Sequence, residues 1–158
     1  MSRLHRLDTF SYIGLAQYFL TICTFDRRRA FTDADIVHRT MMHIRHAAAQ
    51  EQFALLAYCL MPDHAHFLVE ALNETSNLRE FVKSAKQRSA YAHSRACRER
   101  LWQDGYYDRV LRPSEDPKWV ARYIIGNPVR ANLVASPHDY EFLGSDVWRI
   151  EDLIGSCG

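Results

Sequence analysis

The chain has 158 residues, of which 47% are hydrophobic and 25% charged, and its formal net charge is +1. This length and this composition are typical of one globular domain with its own hydrophobic core. No run of about 18 apolar residues occurs, which argues against a membrane-spanning helix, and the N-terminal segment lacks the apolar stretch of a secretory signal.

The pattern of apolar residues divides the chain into strands and helices in the order β-α-β-β-α-β-α. Strands are predicted where aromatic and β-branched residues cluster, and helices where apolar residues recur every three or four positions. The predicted elements are a strand at 17–25, a helix at 36–50, strands at 54–60 and 65–71, a helix at 78–99, a strand at 101–102 and 106–111, and a helix at 118–126.

This order predicts an α+β fold of the ferredoxin-like (RRM-like) type, in which an antiparallel sheet carries helices on one face. We expect one domain over residues 1–135, because the chain looks irregular or weakly helical beyond that point. Residues 136–158 form an acidic C-terminal tail in this interpretation, since Arg149 is the one basic residue among five acidic residues between 139 and 152.

Two histidines, His64 and His66, lie one residue apart where an apolar stretch resumes after Pro62. In a strand, successive side chains point to opposite faces, so both imidazoles are expected on the same face of the sheet. Such a pair suits one metal ion, although a His-x-His on a half-buried strand is more often structural.

The last predicted helix contains Tyr123 and Asn127, whose i, i+4 spacing puts them on one helical face. Together they could supply a nucleophile and a third metal ligand, while the alternative is a core tyrosine and a helix-capping asparagine. Asn127 precedes a proline, which disfavours the α conformation and leaves the direction of its side chain open. Other tyrosines that could be core residues or stack on DNA bases are Tyr91, Tyr106 and Tyr107.

Two separated motifs resemble those of a known family. Residues 60–69, Leu-Met-Pro-Asp-His-Ala-His-Phe-Leu-Val, are similar to the His-hydrophobic-His signature of the IS200-like Y1 transposases, which are HUH endonucleases acting on single-stranded DNA. Residues 102–109 and 123–134 resemble the REP-associated tyrosine transposase branch of that family.

The resemblance extends over residues 14–134 and leaves out the acidic segment. Two departures from the family pattern are small. Asp63 stands where asparagine is common, and Asn132 stands where glycine is common. Neither position is a proposed catalytic group.

The resemblance implies a metal-dependent endonuclease and strand transferase, a transposase that cleaves the hairpins of palindromic repeat DNA. His64 and His66 would bind Mg²⁺ or Mn²⁺, with Asn127 as a possible third ligand. Because Mg²⁺ prefers oxygen, the scissile phosphate and waters would complete the coordination shell. Tyr123, on the C-terminal helix, would attack the phosphate and form a 5′-phosphotyrosine. Asp63 could orient His64 or cap the turn.

Basic residues could then follow the backbone of the nucleic acid. Seven Lys or Arg and two Glu lie between residues 76 and 100, and such a helix is either a solvated surface or a phosphate-binding one. Single-stranded or hairpin DNA is the expected partner. The predicted DNA-binding residues are Arg27, Arg28, Arg29, Lys83, Lys86, Arg88, Arg112 and Arg130.

Two other functions stay open: a catalytically vestigial protein that binds hairpin DNA or RNA, and a metal-dependent hydrolase of small molecules, which would leave the basic helix unexplained. The oligomeric state, monomer or homodimer, is open as well. Four scattered cysteines without a Cys-x-x-Cys pair favour free thiols. We therefore expect a bacterial cytoplasmic protein, with no membrane partner, that is associated with the nucleoid when bound to DNA.

Overall fold

The structure is a computed structural model, and it describes residues 10–155. Within that range the strands form a single antiparallel sheet. They are β1 Gln17–Cys23, β2 Phe53–Met61, β3 His64–Ala71, β4 Tyr107–Val110 and β5 Leu143–Gly144. Their order across the sheet is β4-β1-β3-β2-β5, so β3 is the central strand.

Five α-helices within the described residues accompany the sheet, and the three longest begin at side-chain caps. The side chains of Asp33, Asn77 and Asp116 accept hydrogen bonds from the first free backbone N–H groups of the helices that follow them. The helices are α1 Ala34–Glu51, α2 Leu78–Cys97, α3 Pro117–Ile125, α4 Asn127–Arg130 and α5 Ile150–Ile154.

The predicted strands and helices are confirmed, with ends that agree within two residues. One exception is the segment 101–102, which does not extend β4. Trp102 instead forms an isolated bridge with Thr24, and its ring lies 5.5 Å from that of Phe31 in the core. The Asp104-Gly105 turn, with Gly105 at φ 78°, separates Trp102 from the strand.

The fold class is confirmed, but the helices cover both faces of the sheet. α1 and α2 pack over one face, where Phe67 of β3 and Phe81 of α2 are buried. α3 packs over the opposite face, where its Ile124 belongs to one buried cluster with Leu68 of β3 and Cys59 of β2. The expectation of helices on one face therefore holds for α1 and α2 only. The reason is that β2 is buried at almost every position, so apolar side chains on both of its faces require cover.

The C-terminal segment packs against the domain across the expected boundary at residue 135. β5 pairs with β2, and the hydroxyl of Tyr140 donates to the carbonyl of Leu60 at 2.7 Å. Asp146 forms a bidentate ion pair with Arg45 of α1 at 3.2 Å, and Leu153 of α5 is fully buried beside α3. Residues 136–155 therefore form one edge of the sheet and part of the second core, which is the apolar cluster between α3 and the sheet.

None of the helices within residues 10–155 has the length and apolar character needed to cross a membrane. The cysteines Cys23, Cys59 and Cys97 are free thiols, as expected, while Cys157 lies outside the described residues.

Candidate functional site: a histidine pair facing a tyrosine helix

The two histidines of β3 project from the face of the sheet that α3 covers. Their rings lie edge to face, with centroids 4.7 Å apart and an interplanar angle of 79°. The residues between and beyond them, Ala65 and Phe67, point to the opposite face and are buried under α1 and α2. The two-residue period of the strand therefore places both imidazoles side by side, as predicted.

Each imidazole is held through its Nδ1 atom. His64 Nδ1 lies 2.8 Å from Oδ1 of Asp63, and His66 Nδ1 lies 2.9 Å from Oγ1 of Thr21, the residue directly opposite it on β1. Hydrogen bonds of this kind fix the ring orientation of a metal-binding histidine, and a carboxylate partner such as Asp63 also fixes the tautomer. With Nδ1 engaged in both rings, Nε2 is the atom that each offers to a ligand.

The carboxylate of Asp63 is anchored on its second side by Arg27, whose Nε donates to Oδ2 at 3.0 Å. Partial burial alone would raise the pKa of Asp63, but the hydrogen bonds from His64 and Arg27 outweigh it and lower that pKa. Asp63 is thus a carboxylate that orients His64. Of the two roles that the sequence left open for Asp63, orienting His64 or capping the turn, this contact supports the first.

Burial controls the protonation state of His66. Removal from water, together with the charges of His64 and Arg130, lowers the pKa of His66 to about 4. The imidazole is therefore neutral near pH 7, and neutral imidazole is the form that binds a metal ion.

The donor atoms suit a divalent ion that receives its remaining ligands from oxygen. Within residues 10–155, no group of three His, Cys, Asp or Glu side chains is arranged to hold a metal ion. The histidine pair would therefore need an amide, a phosphate or water to complete a coordination shell. Asn127, the predicted third ligand, begins α4, and its Oδ1 lies 3.4 Å from Nη2 of Arg130.

α3 brings Tyr123 to the histidine face. Pro117 occupies the first turn, and a stripe that includes Val120, Ile124 and Ile125 is buried against β2 and β3. Tyr123 lies beside this stripe and is 49% exposed. Tyr123 and His66 line the same cavity, which has a volume of about 350 Å³. The other residues lining the cavity are Phe19, Tyr107, Arg109, Trp119 and Val120.

The cavity is largely aromatic, and sequence reasoning missed most of its lining. Trp119 is 63% exposed and stacks on Tyr123 with ring centroids 6.4 Å apart at 18°. Arg109 is held by Glu115, since its Nη1 donates to the two carboxylate oxygens at 2.8 and 2.9 Å. Hydrogen bonding from Arg109 is the largest of the causes that lower the pKa of Glu115 to about 2. The sequence signals for this lining were Tyr107, already a candidate for base stacking, and a tryptophan at residue 119, one helical turn before Tyr123.

The basic residues predicted on α2 lie on the helical layer, across the sheet from the histidines. Lys83 is exposed there. Nζ of Lys86 donates to the carbonyls of Gln103 and Gly105 at 2.9 and 2.7 Å, and Arg88 donates to a glutamine of α1 at 3.2 Å. Lys86 thus ties the loop before β4 to α2, and a role of the three residues in DNA binding stays a prediction.

The remaining predicted DNA-binding residues are arginines outside α2. Arg27 and its neighbours Arg28 and Arg29 are exposed in the loop that follows β1 and contacts Asp63. Arg112 is exposed beside Glu115 at 3.5 Å. Arg130 lies over the ring of Tyr123, with its guanidinium carbon 3.9 Å from the ring centroid.

Comparisons with known proteins identify the family and the fold of this chain. The family profile described as "Transposase IS200 like" matches residues 13–127. A protein of Haemophilus influenzae, provisionally named a REP-associated tyrosine transposase, is 22% identical over 136 residues, which cover 79% of this chain and 77% of that protein. The structure of a REP-associated tyrosine transposase bound to a REP hairpin superimposes with a TM-score of 0.74 at 21% identity, covering 90% of this chain and 82% of the other. A provisionally named transposase from Deinococcus radiodurans gives 0.53 at 25% identity, covering 78% and 97%.

Proposed function

This chain belongs to the IS200-like transposase family, and from that premise we propose that it is a metal-dependent endonuclease and strand transferase acting on single-stranded, palindromic hairpin DNA. The observation that carries the proposal is that Tyr123 of α3 and His66 of β3 line one cavity. A site for phosphoryl transfer needs a nucleophile beside a place where charge on the phosphate can be neutralised. A hydrolase that used water would have no need of Tyr123 in that position.

In the proposed reaction, the phenol of Tyr123 gives up its proton and its oxygen attacks the scissile phosphorus. The bond from phosphorus to the 3′-oxygen of the DNA breaks, and that oxygen leaves as a free 3′-hydroxyl after taking up a proton. The 5′-phosphate remains covalently bound to the tyrosine. Because the phosphodiester energy is kept in this bond, the 3′-hydroxyl of another strand can reverse the step, so strand transfer requires no ATP.

His64 and His66 would hold the divalent ion, Mg²⁺ or Mn²⁺, through their Nε2 atoms, with Asn127 as the candidate third ligand. When bound, the ion supplies positive charge that polarises the scissile phosphate. Asp63 accepts a hydrogen bond from Nδ1 of His64 and so keeps Nε2 of that ring free, while the contact of Thr21 with Nδ1 orients the ring of His66. The carboxylate of Asp63 also balances the positive charge of Arg27 at the edge of the site.

The aromatic lining of the cavity supports DNA as the substrate. Trp119, Tyr107 and Phe19 contribute aromatic rings to the lining, and a base next to the cleaved phosphate can stack on such rings. Arg109, held by Glu115, adds a fixed positive charge. An unpaired base can enter such a space, whereas a base within a duplex cannot without being flipped out. We therefore propose that the cleaved phosphate lies in a single-stranded segment beside a hairpin. The structurally similar transposase is bound to a REP hairpin.

The test is to capture the covalent intermediate. Purified protein is incubated with 5′- or 3′-labelled hairpin oligonucleotides and Mn²⁺, and the products are separated on a denaturing protein gel. We expect a covalent protein–DNA band that is absent in Tyr123→Phe. Tyr91→Phe is the matched control, since Tyr91 is an exposed tyrosine of α2 and should leave the band unchanged.

Three results would contradict the proposal in different ways. A band that persists in Tyr123→Phe would exclude Tyr123 as the nucleophile. Cleavage without any covalent band would indicate attack by water. Tight hairpin binding without cleavage on a broad panel of sequences would favour the catalytically vestigial binding protein.

A further inference from the structure

The guanidinium of Arg130 spans the junction between α3 and α4 and lies against Tyr123. Its carbon is 3.9 Å from the centroid of the phenol ring, and its Nη2 donates to the backbone carbonyl of Tyr123 at 2.5 Å. The same Nη2 lies 3.4 Å from Oδ1 of Asn127. One side chain therefore contacts the ring of Tyr123, its carbonyl and the side chain of Asn127.

We propose that Arg130 is a positioning residue that holds the tyrosine helix in its reactive orientation, and that it is not primarily a contact for the DNA backbone. The inference rests on the proposed function, because it assigns Arg130 to the same site. The carbonyl groups of a last helical turn have no partners within their helix, and a basic side chain that caps one of them fixes that turn. Here the fixed turn carries Tyr123.

Gly126 provides the space for this arrangement. Its backbone angles, φ −79° and ψ −9°, are helical and open to any residue, so its conformation does not require glycine. A Cβ atom at this position would lie 2.9 Å from Nη1 of Arg130 and 3.1 Å from the carbonyl oxygen of Arg122. A side chain at residue 126 would therefore displace the guanidinium, which is the flexible group of the two.

Within residues 10–155, no carboxylate forms an ion pair with Arg130, whereas Arg27, Arg45 and Arg109 each have one. A guanidinium over an aromatic face is attracted to the ring electrons. Such a contact leaves the ring fewer orientations, and correct orientation of a nucleophile is worth a large factor in rate.

The test compares three variants, Arg130→Gln, Arg130→Lys and Gly126→Ala, in hairpin binding and in single-turnover cleavage at saturating DNA with Mn²⁺. Arg130→Gln and Gly126→Ala should both slow the formation of the covalent adduct by about tenfold or more, with little change in DNA affinity. Gly126→Ala is the sharper variant, because it keeps the charge of Arg130 and changes its position. Arg130→Lys keeps the charge without the planar guanidinium and should give an intermediate rate.

Arg149→Gln is the matched control. Arg149 is an exposed arginine whose partner is Asp152, and its loss should leave both binding and rate unchanged. A variant Arg130→Gln that binds DNA weakly but cleaves at the normal rate when saturated would overturn the proposal, since Arg130 would then be a phosphate contact. A normal rate in Gly126→Ala would overturn it as well.

A second measurement separates this inference from the proposed function. Nitration of Tyr123 in the free protein, followed by mass spectrometry with Tyr91 as the internal reference, reports whether one face of the ring is covered. We expect faster nitration of Tyr123 in Arg130→Gln and in Gly126→Ala, and equal rates would overturn the placement of Arg130. If the wild-type protein formed no DNA adduct, the proposed function would fail while the nitration result still decided the position of Arg130.

Discussion

The two faces of the sheet are made by the same strands but differ in what they bury. On the helical face, Phe67 and its neighbours pack against α1 and α2 in a continuous apolar core. On the histidine face, the apolar core under α3 adjoins a half-open cavity that holds imidazole, phenol and guanidinium groups. β3 contributes to both faces, so adjacent residues of this strand alternate between the apolar core and the histidine face.

This difference shows where stability and chemistry can be changed independently. Substitutions at odd positions of β3 remove buried apolar contacts, while those at even positions near its start alter hydrogen bonds and metal-binding atoms. Variants on the helical face should therefore lose mainly stability, and variants on the histidine face mainly metal or DNA binding.

Phe67→Ala should destabilise the folded protein by about 3–5 kcal/mol, since it removes a ring that is 2% exposed and leaves a cavity. His66→Ala, one residue away, should lose metal-dependent cleavage with a smaller loss of stability. Urea unfolding of both variants gives the two free energies of unfolding. Equal losses would show that the two faces do not differ as described.

The pH dependence of stability should carry a signature of His66. Burial and the nearby charges lower the pKa of His66 from 6.5 to about 4 in the folded state. At pH values between these two, His66 therefore binds more protons in the unfolded chain than in the folded one. The free energy of unfolding should therefore fall as the pH falls through that window, by roughly 3 kcal/mol in total for this group. The measurement is urea unfolding at several pH values in EDTA, with His66→Gln as the variant that should lack this component. A parallel loss in both proteins would rule out His66 as the cause.

Thr21→Val should weaken Mn²⁺ binding by about 10- to 100-fold, because it removes the hydroxyl that fixes Nδ1 of His66. Isothermal titration calorimetry on the free protein measures this affinity without DNA. Thr32→Val is the control, since its exposed hydroxyl donates to the carbonyl of Arg29, whereas the hydroxyl on Nδ1 of His66 is that of Thr21. Unchanged affinity in Thr21→Val would mean that β1 does not orient the ligand.

Trp119→Ala should reduce the affinity for single-stranded hairpin DNA by about fivefold, the lower part of the range for one stacked base, because the indole is largely exposed. Trp119→Phe keeps an aromatic face and should recover most of the affinity. Stability should change little in either variant. A DNA affinity that does not depend on residue 119 would place the bases elsewhere than in the cavity.

The sequence was sufficient for features that depend on local periodicity. Every strand and helix up to α3 could be located within two residues, because apolar spacing and capping residues such as Asp33 and Asp116 act within a few positions. The shared face of His64 and His66 followed from the same rule. It is a property of any extended strand.

Tertiary packing decided the features that join distant segments. It put α3 on the histidine face, which brought Tyr123 to His66, and it paired Thr21 with His66 through the register of β1 against β3. It also seated residues 136–155 on the second core, where composition had indicated an acidic tail. Periodicity indicates which side of a helix or strand is apolar. The face of the sheet against which that side packs depends on how much apolar area the other elements leave uncovered there.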